Sequence, residues 1–147
     1  MLFRSLEAHA ALAGLRPPVL EDLGLADALA SLARSIAQLP VTVLADTHRL
    51  PEHMEIALYR IAQEALQNVV KHAHATTARV ELRCDTTRAF LRISDNGRGF
   101  DTTAHDPGAT SYGLRSMAER AELIGGRLDV TSRLGQGTTV TATAPAR

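Results

Sequence analysis

Near the middle of the chain, an acid occupies a position where the hydrophobic pattern calls for an apolar side chain. In Leu91-Arg92-Ile93-Ser94-Asp95, the residues Leu91, Ile93 and Asp95 alternate onto one face, which is the period of a half-buried strand. The strand thus ends in an inward carboxylate, followed directly by Asn96-Gly97-Arg98-Gly99-Phe100. A buried carboxylate is costly unless something hydrogen-bonds it, and the glycines let backbone approach a ligand closely. Together they predict a pocket at the end of a sheet, in which the acid accepts hydrogen bonds from a ligand.

The rest of the chain supplies walls for such a pocket. Residues 1–14 are rich in Ala and Leu and read as a short helix, which Pro17-Pro18 must break because proline lacks an amide donor. From Asp22 to Gln38, Leu25, Leu29, Leu32 and Ile36 recur at helical spacing. Val41-Thr42-Val43-Leu44 reads as a strand. Pro51 is expected at the first position of the longest helix, which runs to about His74. Arg79 to Cys84 and Ala89 to Asp95 alternate as two strands joined by a turn at Asp85–Arg88. Asn96 to Thr110 reads as irregular, Ser111 as the cap of a helix to about Ile124, and Gly125-Gly126 as its stop. Strands around Leu128 and Val130 and from Thr138 to Ala144 complete the order. Helices early and strands late favour an α+β fold, with helices on one face of a mixed sheet.

Several polar residues sit where such a pocket needs them. Glu64 and Asn68 are four apart and stack on one face of the long helix, at the border of its apolar stripe. Paired oxygen ligands suit Mg²⁺, a hard cation that takes few protein ligands and keeps waters and phosphate oxygens; a solvated helix flank has the same spacing. Lys71 could meet a phosphate as a point charge. On the last strand Thr138 shares a face with Val140 and Ala142, so its hydroxyl needs a partner, either a ligand or its own backbone. Gly113 could expose helix amides to an anion, or simply ease helix entry.

Composition narrows the function classes. The 147 residues suffice for one domain with a real core. Formal net charge is zero, which argues against a general binder of nucleic acid or of membrane surfaces. The single Cys84 excludes an internal disulfide or a cysteine-based zinc site, and its alternation with Val80 and Leu82 points it toward the core. No apolar run reaches the ~18 residues of a membrane span, and the N-terminus lacks a signal-peptide pattern. A cytoplasmic setting is expected.

The motifs, in their order, resemble the ATP-binding domain of sensor histidine kinases, which shares its fold with DNA gyrase B, the MutL repair proteins and the heat-shock chaperone ATPases. Tyr59 to Ala73 looks like the N box, Asp95 to Phe100 like the first glycine box, Tyr112 to Met117 like the second, and Gly135 to Val140 like the closing segment. Leu15 to Leu25 is similar to the nitrate/nitrite-type and DesK-type sensors, which pair with helix-turn-helix response regulators. The resemblance implies a two-layer α/β sandwich of the Bergerat type, its sheet mostly antiparallel. Asp95 would accept from the adenine amine of ATP, with Thr138 at the same base edge. Asn68 would ligate Mg²⁺ bridging the phosphates. Glu64 would act as base, as in the hydrolysing relatives, or order the metal's waters. Lys71 and His72 would be phosphate contacts. Gly97, Gly99, Gly113 and Leu114 would frame the pocket, and Asp101 to Thr110 would form a short lid.

One feature departs from a full kinase. The family's phosphoacceptor histidine is followed by an acid on a helix before the proline-rich junction, whereas His9 is followed by Ala10. His105-Asp106 is such a pair, but it lies in the lid segment and precedes Pro107. The expectation is that residues 1–20 are the end of a dimerisation helix with its junction, and residues 21–147 the ATP-binding catalytic domain. The γ-phosphate would pass to a histidine of a separate dimerisation and phosphoacceptor domain, with no autophosphorylation by this chain alone. The alternatives are a stand-alone anti-sigma-type serine kinase and a non-catalytic nucleotide-binding module.

Overall fold

The computed structural model describes residues 19–100 and 109–146, with side chains described over 24–100 and 113–146. Helix α1 (Val19–Arg34) leads to strand β1 (Val41–Ala45), and helix α2 (Glu52–Asn68) continues into a π-helical turn (Val69–Ala73). Strands β2 (Ala78–Cys84) and β3 (Arg88–Asp95) precede helix α3 (Ala109–Leu123) and strands β4 (Arg127–Ser132) and β5 (Thr138–Pro145). The strands lie in the order β1-β2-β3-β5-β4. Among the described strands β1–β2 is parallel, and β2–β3, β3–β5 and β4–β5 are antiparallel. The fold is the expected α+β sandwich, with helices on one face of a mixed sheet.

Alternation decides which face the helices cover. Val80, Leu82, Leu91, Ile93, Val140 and Ala142 are buried and form one cluster with the helices. On α2 the buried set includes Met54, Leu58, Ile61, Ala62, Ala65 and Leu66, spaced to face both the sheet and the neighbouring helices. Each fully buried Leu or Ile contributes about 1.5–3 kcal/mol relative to exposure. The opposite sheet face is charged: Arg79, Arg83 and Arg92 lie 3.8, 3.5 and 3.9 Å from Glu81, and the Arg92 guanidinium sits 4.9 Å above the Phe90 ring. Cys84 is only half-buried, at the strand end where the core gives out, and its Sγ donates to the His48 carbonyl at 3.4 Å.

Several boundaries differ from the sequence reading. α1 begins at Val19 and ends at Arg34, short of Gln38, and is interrupted at Gly24 (φ 82, ψ 178), a conformation that cannot continue a helix. Pro51 sits one residue before the first helical position, with φ −53 and ψ 147; its carbonyl accepts from the Met54 and Glu55 amides. α3 starts at Ala109, so Ser111 lies inside its first turn instead of capping it. The long helix does reach the His74 region, but through the π-helical turn, and His74 closes it in the left-handed conformation (φ 51). The expected helix at 1–14 and residues 101–108 of the expected lid lie outside the described residues.

Candidate functional site

The end of β3 is tied to the end of the long helix by polar contacts that the local sequence dictates. Asn96 Oδ1 accepts from the Thr76 and Thr77 amides at 2.9 and 3.0 Å, and its Nδ2 donates to Thr76 Oγ1 at 2.7 Å. The Arg98 amide donates to the Ala73 carbonyl at 2.7 Å. A side chain at Gly97 would collide with that same carbonyl, so only glycine allows this approach. Across the sheet, Gly137 has φ 81, and a side chain there would strike the Asp95 carbonyl. Two glycines thus let three backbone segments meet around Asp95.

This junction borders a cavity of about 320 Å³. Ala65, Val69, Ala73, Ile93, Leu114 and Val140 give it apolar walls, and Phe100 and Gly99 close one side. Its polar groups are Asp95, Thr138, Asn68, His72 and Arg98. An apolar cavity with a few fixed polar groups is the usual form of a small-molecule site.

Asp95 dominates the electrostatics. Its Oδ1 accepts from the Gly97 amide at 2.7 Å. Burial pushes its carboxyl above the usual aspartate value, while the amides of Gly97 and Thr138 pull the other way. No cationic side chain is paired with it among the described residues. It therefore keeps acceptor capacity beside the cavity it lines.

The other expected residues divide by position. Asn68, His72, Gly99, Leu114 and Thr138 line the cavity with Asp95. Glu64 is half-buried beside it: a side chain added at Gly113 would come 2.8 Å from Glu64 Oε2 and 3.4 Å from Asn68 Nδ2. The carboxylate, the amide and the start of α3 therefore converge at one edge. Gly97 supports the cavity from outside its lining. Lys71 is exposed and lines a second depression with Leu32, Ile36, Gln63, Gln67 and Val70 between α1 and α2, not the cavity itself.

Sequence reasoning placed Arg98, Phe100, Ala65 and Ala73 inside the motifs but gave them no part in the site; all four line the cavity. It also missed Ser132, which is 6% exposed. Leu128, Val130 and Ser132 alternate inward, so an inward polar residue at a strand end, the signal that found Asp95, was present there too. Ser132 Oγ accepts from the Phe100 amide at 2.8 Å, donates to the Gly137 carbonyl at 3.2 Å and lies 2.8 Å from Thr138 Oγ1.

Comparison with known proteins agrees with this geometry. Residues 53–147 match the family described as histidine kinase-, DNA gyrase B-, and HSP90-like ATPase. The signal transduction histidine-protein kinase/phosphatase DegS of Brevibacillus brevis is 38% identical over 136 residues, 89% of this chain and 35% of DegS. The sensor histidine kinase LiaS of Bacillus subtilis is 38% identical over 143 residues, 95% of this chain and 39% of LiaS. The chain thus spans between a third and two fifths of these relatives. The histidine kinase domain of the Erythrobacter litoralis EL346 blue-light activated histidine kinase superposes with a TM-score of 0.69 at 20% identity, covering 99% of this chain and 82% of that one. At that identity the likeness is one of fold.

Proposed function

Because the chain belongs to the histidine kinase-, DNA gyrase B- and HSP90-like ATPase family, we propose that it is the Mg-ATP-binding catalytic portion of a sensor histidine kinase. In this reading residues 21–147 form the nucleotide-binding unit and residues 1–20 the end of a dimerisation helix with its proline-rich junction. The observation that carries it is Asp95: a carboxylate without a cationic partner among the described residues, at the polar end of an apolar slot. A purine amine supplies the donor that such an acid lacks, and the ring supplies apolar faces for Ile93, Val140 and Leu114.

The donor chemistry at the other edge fits Mg²⁺ carried with phosphates. Among the described residues no three His, Cys, Asp or Glu side chains converge as a metal cage. A cation that keeps several waters and phosphate oxygens needs only one or two protein oxygens. Asn68 would hold it, with Glu64 beside it to orient a coordinated water. When bound, the ion neutralises charge on the phosphates. The chain's own residues then position: Asp95 and Thr138 fix the base, while Gly97, Gly99, Gly113, Leu114 and His72 shape the path to the phosphates. Positioning and electrostatic stabilisation account for most of phosphoryl-transfer catalysis.

The acceptor would be a histidine on a dimerisation and phosphoacceptor domain of the parent kinase, and the phosphoryl group would pass on to a helix-turn-helix response regulator. A cytoplasmic location follows from that role. Among the described residues no helix is long and apolar enough to cross a membrane.

Titration calorimetry of the full chain with Mg-ADP tests the site. Asp95→Ala should weaken binding by about 10- to 100-fold, the value of a hydrogen bond to a charged acceptor. Asn68→Ala should weaken it in Mg²⁺ but much less with the metal chelated. Equal affinity in all three proteins would refute the assignment.

A further inference from the structure

We propose that Ser132 is a positioning residue that fixes the hydrogen-bonding polarity of Thr138, and thereby the preference of the site for a purine carrying an exocyclic amine over one carrying a carbonyl at the same place. The inference rests on the nucleotide reading above and deepens it.

Proton counting carries the argument. A serine hydroxyl has one proton and two lone pairs. Ser132 Oγ lies within hydrogen-bonding distance of three groups: the Phe100 amide at 2.8 Å, the Gly137 carbonyl at 3.2 Å and Thr138 Oγ1 at 2.8 Å. The amide can only donate and the carbonyl can only accept. The serine proton therefore goes to Gly137, and one lone pair takes the Phe100 amide. The remaining lone pair can engage Thr138 only if the threonine donates. This is the one assignment that satisfies all three contacts together, and Ser132 is 6% exposed, so solvent has little access to replace a lost partner.

The consequence appears on the cavity side. Thr138 and Asp95 both line the slot. With its proton directed at Ser132, Thr138 presents lone pairs to the cavity, and ionised Asp95 presents lone pairs only. These two side chains accept and do not donate. A ligand amine meets complementary groups; a ligand carbonyl meets oxygen lone pairs and loses its own hydrogen bond to water. Sites of this kind discriminate chiefly through the unpaired polar group. Ser132 also ties the first glycine motif, through Phe100, to the closing segment, through Gly137 and Thr138.

The test compares ADP with inosine diphosphate, which replaces the 6-amino group by a carbonyl, by calorimetry on the full chain with Mg²⁺. Wild type should prefer ADP by at least about tenfold. In Ser132→Ala the Thr138 hydroxyl is free to turn and donate, so the ADP:IDP ratio should shrink by about three- to tenfold. Ser132→Thr, which restores a hydroxyl, should keep the wild-type ratio. Thr138→Val alone should also reduce the ratio, and Ser132→Ala should change it no further in that background. A purely structural role would weaken both nucleotides by the same factor, and an unchanged ratio would overturn the proposal. Should Ser132→Ala fail to fold, Thr138→Val decides: an unchanged ratio there is equally fatal. Wild type that binds neither nucleotide, or binds ADP as well after Asp95→Ala, refutes the nucleotide reading itself. Binding that is lost in Asp95→Ala with an unmoved ratio in Ser132→Ala refutes only the role of Ser132.

Discussion

Two carboxylates flank the long helix, and the fold treats them in opposite ways. Glu55, near its start, is 1% exposed. Arg49 donates to it from Nε at 2.9 Å and from Nη2 at 3.1 Å, and the Leu50 amide donates at 3.3 Å. Asp95, beside the helix's far end, is half-buried; it takes the Gly97 amide at 2.7 Å and the Thr138 amide, and has no cationic partner among the described residues. Glu55 has committed its acceptors within the chain, and it pins the loop before α2. Asp95 keeps acceptor capacity beside an apolar cavity. Burial alone therefore does not mark a functional acid. A buried acid whose hydrogen bonds are complete is architecture, whereas one left incomplete beside a ligand-sized space is a candidate site.

The largest effect should come from breaking the satisfied acid. Glu55→Ala strips acceptors from Arg49 and the buried Leu50 amide, and should lower stability by about 2–3 kcal/mol, read as a lower denaturant midpoint. Arg49 itself is half-exposed, so its charge is rehydrated and the loss stays at that level. Mg-ADP affinity of the folded protein should remain within about twofold, because the two sites share no partner. A matching loss of affinity would erase the contrast.

A smaller effect, of opposite sign, belongs to Asp95. Burial raises its carboxyl above the ordinary aspartate value, so the ionised form is the costly one in the free protein. Its contribution to stability is full below the ordinary value and is lost as pH rises through the raised one. Asp95→Asn should therefore leave the free protein as stable or more stable at neutral pH, by up to about 1 kcal/mol. Binding runs the other way. As pH falls through the raised value the carboxyl protonates and ceases to be a pure acceptor, so ADP affinity should drop, starting above the ordinary aspartate value. In Asp95→Asn that acid limb should disappear. An acid limb that persists in the variant would assign it to another group.

Much of this contrast was legible in the sequence, for a physical reason. Asp95 announces itself because a period of two forces it inward with Leu91 and Ile93, and glycines follow it. Asn68 and Thr138 were found by the same reading of faces, and both line the cavity. Lys71 was tied to the site by proximity along the helix; it lies in the π-helical turn and lines the depression beside α1. No periodicity signals an extra residue in a turn. Glu55 was passed over because a glutamate in the first turn of a helix ordinarily reads as solvated; only the fold brings Arg49 back over it. Gly24 interrupts α1 because its positive φ is a matter of context, which an apolar spacing cannot report.

The most direct test is a crystal structure of the full chain with ADP and Mg²⁺. The account predicts the purine amine within about 2.7–3.2 Å of the Asp95 carboxylate, a hydrogen-bonding distance, with the ring between Ile93 and Leu114 and the metal beside Asn68. A base bound elsewhere, with Asp95 facing only water, would contradict it.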